Sequence, residues 1–235
     1  MTDKPHKEPR APHRSRPERS DRRIPAHLDR RLVEELGSAV RPGKKGILVK
    51  VFGEAVAAFA EGDLDEAIRL GEQAKHLALR SPAAREFLGI VYYAAGRWRD
   101  CIRELSAFRR MAASVEQNPV LADSYRAEGM PEKAIELCDE MRGRAVPEAV
   151  RYEGAIVAAG AHTDMGRVEE AIARLEELDL NPGVAEEHHL RAWYVLGDLL
   201  ERTGRFTQAR RFFDAVATSD PGLTDAPERM KRLGS

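Results

Sequence analysis

A short motif that begins with glycine recurs five times along the chain and constrains its fold more than any other feature. The copies are GDLDEAI from Gly62, GRWRDCI from Gly96, GMPEKAI from Gly129, GRVEEAI from Gly166 and GRFTQAR from Gly204. Successive glycines are 34, 33, 37 and 38 residues apart. Repetition with a period of this length indicates an array of similar structural units.

Each glycine lies between two stretches with helical periodicity. Around Gly96, for example, apolar residues at helical spacing precede and follow the glycine: Phe87, Leu88, Val91, Tyr92 and Tyr93 on one side, and Trp98, Cys101, Ile102 and Leu105 on the other. Glycine adopts left-handed backbone angles without a Cβ penalty, so it suits a tight reversal between two helices. Each unit is therefore predicted to be a helical hairpin. Such a hairpin cannot bury both of its faces alone, which predicts stacking into an all-α solenoid.

A small residue stands five positions after every glycine. These residues are Ala67, Cys101, Ala134, Ala171 and Ala209. This position lies early in the second helix, where a small side chain lets the two helices approach closely. The composition agrees with a helical protein, since 33% of the residues are charged and only 6% are aromatic.

The repeated pattern resembles the tetratricopeptide repeat (TPR) family over roughly residues 46 to 221. The residues that carry the resemblance are Leu88-Gly89 and Leu196-Gly197, the aromatics Tyr92, Tyr125 and Trp193, and Ala74 and Pro221. Departures from the family pattern are Ala55, Ala158-Ala159 and Val216. The resemblance implies a right-handed α-solenoid of about five hairpins, in which the first helices line a concave surface. The chain also resembles small TPR proteins of high-GC bacteria.

Composition divides the chain into three segments. Residues 1–24 combine prolines with many charges and almost no apolar residues, so we expect a disordered basic tail. Residues 25–45 are expected to hold a short helix and a basic turn, and residues 46–235 the solenoid with a C-terminal capping helix. The first 50 residues carry 14 Lys/Arg and 7 Asp/Glu, a net charge of +7, whereas the remainder carries −8.

The basic segment suggests a second way of binding. Its candidate contacts are Arg10, Arg14, Arg16, Arg19, Arg22, Arg23, Lys44 and Lys45. Clustered cations bind nucleic acid or another anionic surface by releasing counterions, so a nucleic-acid- or ribosome-associated role is the alternative function. The tail lacks interleaved aromatic residues that would stack on bases. Docking of the tail on the acidic body is a further possibility.

The family resemblance implies that a protein or peptide partner binds in the concave groove. Residues at the corresponding positions are Phe52, Phe59, Glu86, Tyr93, Asp123, Arg126, Tyr194, Asp198 and Arg202. Aromatic and acidic side chains together favour a partner segment with apolar anchors and basic residues. The alternative for each of these residues is that it only completes the packing between repeats.

No pattern in the sequence indicates catalysis. Cys101 and Cys138 fall at core-facing positions and are expected to be reduced and buried. His188 and His189 are adjacent, so on a helix they should point about 100° apart and not ligate one metal ion. The resulting expectation is a non-enzymatic scaffold without metal or cofactor. The absence of a long apolar stretch and of a secretory signal predicts a cytoplasmic protein that does not enter the membrane.

Overall fold

The computed structural model describes residues 28–233, so the predicted basic tail lies outside the described residues. Within this range the chain forms twelve α-helices and no β-strand, which confirms the predicted all-α class. The helices are α1 (Arg30–Ser38), α2 (Lys45–Ala60), α3 (Leu64–Leu77), α4 (Pro82–Ala94), α5 (Trp98–Ala112), α6 (Asn118–Ala127), α7 (Pro131–Asp139), α8 (Glu148–Asp164), α9 (Val168–Glu176), α10 (Glu187–Arg202), α11 (Phe206–Ser219) and α12 (Ala226–Arg232). From residue 28 to residue 233, no helix is both long and apolar enough to cross a bilayer.

Helices α2 to α11 pair into five hairpins, one around each repeated glycine. The pairs are α2 with α3, α4 with α5, α6 with α7, α8 with α9, and α10 with α11. Consecutive hairpins also pack on one another, as in the contact of α7 with α8. Helix α1 packs against α2 and α4 at one end of the stack, and α12 packs against α11 at the other. The predicted solenoid of five hairpins is confirmed.

The five repeated glycines end the first helix of each hairpin in the same way. All have positive φ angles, between 68° and 77°. The backbone N–H of the residue after each glycine donates to the carbonyl oxygen five positions earlier, at 2.8–2.9 Å, as from Met130 to Tyr125. This is the hydrogen bond of a Schellman C-cap, which requires a left-handed residue at the glycine. The sequence motif therefore encodes the reversal directly.

Replacing a hinge glycine should destabilise the protein through backbone strain alone. At Gly129 the φ angle is +77° and an added Cβ would meet no atom within 4 Å. We expect Gly129→Ala to lower the free energy of unfolding by about 1 kcal/mol. Gly46 lies inside α2, where an added Cβ also has open space. Gly46→Ala should instead raise the free energy of unfolding by about 0.5–1 kcal/mol. Urea unfolding would show opposite shifts, and shifts of the same sign would contradict this account of the hinge.

The small residues predicted to lie at the crossing of each hairpin are all buried. Ala67, Cys101, Ala134, Ala171 and Ala209 have no exposed surface. The first helix contributes close approaches of its own, because a Cβ on Gly89 would collide with Cδ2 of Leu105. Burial raises the pKa of the Cys101 thiol to about 11 and that of Cys138 to about 12. Both cysteines are free, buried thiols, as predicted.

Candidate functional site

The first helices of the hairpins lie on the inner side of the solenoid. Helix α4 approaches α6, α6 approaches α8 and α8 approaches α10, while no comparably close approach joins the second helices in the described part of the chain. Long side chains span the wider gaps between second helices, as in the ion pair of Arg174 in α9 with Asp139 in α7 at 3.1 Å. The surface formed by α2, α4, α6, α8 and α10 is called the concave face below. It holds the predicted groove residues.

The aromatic residues of the first hairpin differ in their access to this face. Phe52 is only 3% exposed and packs in the core, with its ring centroid 5.2 Å from that of Phe87. The prediction of Phe52 as a partner contact therefore needs correction, because α1, α3 and α4 fill the space around this end of α2. Phe59 is half-buried and lies edge-on to Phe87 at 6.1 Å, so it retains some surface on the concave face.

A chain of polar contacts links the middle hairpins across the concave face. The hydroxyl of Tyr93 donates to Asp123 Oδ2 at 2.7 Å. Arg126 donates to Asp123 through Nη1 and to Asp164 through Nε, both at 2.6 Å. Burial and the Asp123 hydrogen bond raise the pKa of Tyr93, so the phenol stays a donor. These three predicted groove residues connect α4, α6 and α8. They therefore take part in packing between repeats, which was the alternative to a role as partner contacts.

Glycine at position 160 makes room for this chain of contacts. A Cβ at Gly160 would lie 3.0 Å from Nη1 of Arg126, so the guanidinium group lies flat against α8 on its way to Asp164. Neither Gly160 nor Asp164 was predicted from the sequence as part of the site. Gly160 does occupy the same repeat position as Asp123, six residues before the hinge glycine, and that register is the signal that could have found it.

Glu86 is different from the other predicted acids because its charge has no cationic partner in residues 28–233. Its carboxylate is half-buried and accepts a hydrogen bond from the neutral amide of Gln117 at 2.9 Å. Burial raises the pKa of Glu86 above its ordinary value, and the nearby charges of Glu116 and Glu35 raise it further. Glu86 near the start of α4, Glu116 in the loop before α6 and Glu35 of α1 thus form an acidic patch at the edge of the concave face.

In the fifth hairpin, α12 contacts the predicted groove residues. The hydroxyl of Tyr194 donates to Asp225 at 2.6 Å. Asp198 pairs with Arg202 and with Arg229 of α12, each at 2.7 Å. The polar atoms of Tyr194 and Asp198 are therefore already bound within the chain, whereas the side chain of Arg202 remains 60% exposed.

An ion pair that the sequence prediction did not include joins the fourth hairpin to the fifth. Arg191 of α10 pairs with Glu153 of α8, with Nη1 and Oε1 2.6 Å apart. Burial raises the pKa of Glu153, and Arg191 opposes that shift. Both residues lie thirteen positions before their hinge glycines, at equivalent places in successive repeats. A comparison of all repeats at this position would have identified them.

The basic residues predicted as a second surface are only partly described. Arg10, Arg14, Arg16, Arg19, Arg22 and Arg23 lie outside the described residues. Lys44 and Lys45 are exposed where α2 begins. Lys44 lines a cleft of about 360 Å³ together with Arg41, Arg80 and His76.

The expected geometry of the adjacent histidines is wrong. His188 and His189 are both buried in the first turn of α10, with ring centroids only 4.0 Å apart. Tyr152 of α8 holds them together, since its ring lies 4.8 Å from each imidazole in an edge-on arrangement. Tertiary packing has therefore turned both side chains to the same side of the helix, against the divergence of an ideal helical surface.

Comparison with known proteins agrees with this architecture. Residues 156–224 match the tetratricopeptide repeat family model. A thermophilic TPR protein from Thermus thermophilus superposes with a TM-score of 0.59 at 18% identity, covering 79% of this chain and 98% of that one. Pseudomonas aeruginosa pilF superposes with a TM-score of 0.62 at 13% identity, covering 82% of this chain and 90% of that one.

A third similar structure is YrrB, described as a TPR protein with an unusual peptide-binding site. Its TM-score is 0.54 at 17% identity, covering 85% of this chain and 99% of that one. No curated protein sequence matches the chain. The matched family segment runs from the middle of α8 to just beyond α11, and the same hinge geometry recurs in the first three hairpins. The chain therefore shares the fold of tetratricopeptide repeat proteins, and residues 156–224 match the family model itself.

Proposed function

We propose that the protein is a non-catalytic scaffold that binds a segment of a partner protein on its concave face. The acidic patch of Glu86, Glu116 and Glu35 carries this proposal. Glu86 and Glu35 are half-buried, whereas Glu116 is exposed. A half-buried carboxylate without a cation, such as that of Glu86, is costly, and a basic side chain from a partner would remove that cost. The acidic patch therefore offers a binding position for a cationic side chain, which the described part of the chain does not place beside Glu86.

Apolar surface lies beside the acidic patch. Ile90 of α4 and Phe59 and Val56 of α2 are half-buried on the first two hairpins. The middle and C-terminal parts of the concave face have their polar groups paired within the chain, as for Asp123 with Arg126 at 2.6 Å. We therefore place the contact at the N-terminal half of the concave face, and expect a partner segment with basic residues flanked by apolar anchors.

Neutralising Glu86 should weaken partner binding without unfolding the solenoid. We expect Glu86→Gln to reduce affinity about 10-fold or more, because it removes one charge-assisted contact worth roughly 1.5–3 kcal/mol. The matched control is Glu136→Gln in α7, since the side chain of Glu136 is 62% exposed and lies on a second helix. Partners captured from cells by the wild type would be compared on both variants by calorimetry. Equal affinity for the two variants would contradict the proposal.

Partner binding should also weaken in mild acid. The pKa of Glu86 is raised, mainly by burial, so this carboxylate takes up a proton at a higher pH than an exposed glutamate does. A basic partner binds the ionised form, and its affinity should fall as the pH is lowered through the raised pKa. The Glu86→Gln variant lacks this group and should show a flatter pH profile. Identical profiles for wild type and variant would exclude Glu86 as the contact.

The absence of catalysis is part of this proposal. Apart from Glu86, charged side chains of the concave face pair across the repeats in the manner of structural contacts, as in the pair of Arg191 with Glu153. The two thiols are buried and have raised pKa values, which makes them poor nucleophiles. These features support a binding surface rather than an active site.

The alternative function, binding of an anionic polymer, is favoured by the cleft around Lys44. Arg41, Lys44 and Arg80 bring three cations to the side of the solenoid next to α1. If nucleic acid binds there, its affinity should fall steeply with salt and should weaken in an Arg41→Ala, Lys44→Ala, Arg80→Ala triple variant. Salt-independent binding, or binding unaffected by these substitutions, would exclude this surface.

A further inference from the structure

Three potential metal ligands meet where α8 and α10 begin. His188, His189 and Glu148 each offer one ligand atom, and these atoms lie within 4.8 Å of one another. Glu148 is the first residue of α8, and the two histidines lie in the first turn of α10. The cluster is thus built on the first helices of the fourth and fifth hairpins. It lies apart from the acidic patch near the start of α4.

His188 has an unused nitrogen that faces this cluster. The residue is 8% exposed, and its buried Nε2 has no hydrogen-bond partner. The nearest carboxylate oxygen, Oε2 of Glu148, is 3.8 Å from Nε2, which is too long for a hydrogen bond. Two ligands of a tetrahedral zinc ion are separated by roughly 3.3 Å when each bond is about 2.0–2.1 Å long. The observed gap is therefore close to the spacing that an ion between the two groups would set.

The surroundings hold the imidazoles in place and are negatively charged. Tyr152 is fully buried, packs against both rings and donates its hydroxyl to the carbonyl oxygen of Asp179 at 2.6 Å. Oε2 of Glu186 lies 3.7 Å from Nδ1 of His188, on the side away from Glu148. At this distance the carboxylate adds negative charge near the imidazole without a hydrogen bond to it. Glu148 has an exposed side chain and can close the remaining distance.

A neutral imidazole has one ring nitrogen with a free lone pair, and in His189 this nitrogen already takes part in the cap of α10. Its Nδ1 accepts a hydrogen bond from the backbone N–H of Glu186 at 2.9 Å, as part of a capping box. A metal ion would therefore compete with this cap for His189, whereas Nε2 of His188 and Oε2 of Glu148 are available without such a loss. The other oxygen of Glu148, Oε1, accepts a hydrogen bond from Arg151 at 3.2 Å.

We propose that Glu148, His188 and His189 form a binding site for a divalent transition-metal ion of the zinc type. Two imidazoles and a carboxylate are a ligand set that suits Zn²⁺, and a fourth position would be left for water. The ion would link α8 to α10 and so stabilise the junction between the fourth and fifth hairpins. This proposal is independent of partner binding on the concave face.

The test uses the full chain without a polyhistidine tag. We expect calorimetry to show one equivalent of Zn²⁺ bound per chain, and Co²⁺ to give the visible absorption bands of a low-symmetry site. The melting temperature should rise with added Zn²⁺, since the ion binds the folded state. His188→Ala and Glu148→Gln should each weaken binding about 10-fold or more. Glu148 is exposed, so Glu148→Gln keeps the test valid if His188→Ala fails to fold.

The matched control is His76→Ala. Nε2 of His76 lies 3.9 Å from a carboxylate oxygen of Glu72, a spacing similar to that of His188 and Glu148, but its side chain is 74% exposed. This variant should bind Zn²⁺ as the wild type does. The proposal is wrong if the wild type binds no stoichiometric Zn²⁺, or if Glu148→Gln and the folded His188→Ala variant both retain full affinity.

Discussion

Glu104→Leu should lower the free energy of unfolding by about 3 kcal/mol, because it leaves two largely buried cations without the carboxylate that they share. Glu104 has no exposed surface, although it lies in α5, a helix that is rich in charged residues. Its carboxylate accepts from Lys75 Nζ at 3.1 Å and from Arg85 Nη1 at 2.7 Å. These partners come from α3 and α4, so one side chain joins the first two hairpins. Lys75 and Arg85 keep some solvent contact, which places the cost at the lower end of the range for buried pairs.

Guanidinium chloride unfolding of the purified variant would measure this loss. The matched control is Glu169→Leu, which removes an ion pair of similar length between Glu169 and Arg205, at 2.5 Å. The side chains of this pair are 65% and 38% exposed, so solvent screens them and the control should unfold almost as the wild type does. A Glu104→Leu variant as stable as the control would show that the buried carboxylate does not hold the first two hairpins together.

Phe213→Ala should have a comparable or larger effect, a loss of about 3–5 kcal/mol, through a cavity at the C-terminal end of the solenoid. Phe213 has no exposed surface. Its ring fills the space left by Gly197, where an added Cβ would lie 2.9 Å from Cε1 of the ring. The guanidinium group of Arg229 lies 4.8 Å above the ring centroid. Truncation therefore weakens contacts with both α10 and α12.

Phe206→Ala is the control for this prediction, since Phe206 lies in the same helix but is 54% exposed. Its free energy of unfolding should change by less than about 1 kcal/mol. Amide hydrogen exchange would add a local measurement, in which Phe213→Ala increases exchange in α12 and Phe206→Ala does not. Equal destabilisation by the two substitutions would contradict the placement of Phe213 in the core.

The fold was predictable because its signals are local and repeated. A hinge glycine with a positive φ angle, such as Gly166 at 74°, can be recognised from the residues around it. One such motif would be ambiguous, but five regularly spaced copies are not. The small residue at a helix crossing is equally local. The orientation of side chains between repeats was not predictable in this way, because it depends on which neighbouring helix supplies a partner.

Phe52 and Glu104 illustrate this limit. Phe52 occupies a groove position in the repeat, yet α1 and α4 cover it. In the sequence Glu104 resembles an ordinary surface charge, yet its side chain is buried. It pairs with Lys75 of the first hairpin and with Arg85 of its own, second hairpin. The candidate site shows the same pattern, since Tyr93, Asp123 and Arg126 lie on first helices of their hairpins and have partners within the chain.

Glu86 is the predicted groove acid whose charge the described residues do not neutralise. Its position on the inner helix of the second hairpin followed from the repeat register. The lack of a cation beside Glu86 could not be predicted from the repeat register, because it depends on which side chains of α1 and of the loop before α6 lie next to it. The neighbours there are the amide of Gln117 and the carboxylates of Glu116 and Glu35.

The central claim is that the concave face receives the partner, and site-specific photo-crosslinking tests it most directly. A photoreactive amino acid would replace Ile90 of α4, on the concave face, or Gln73 of α3, an exposed residue of a second helix. Both variants would be irradiated with the same captured partner. The account predicts a crosslinked complex from position 90 and none from position 73. Crosslinking from position 73 alone, or equally from both positions, would contradict it.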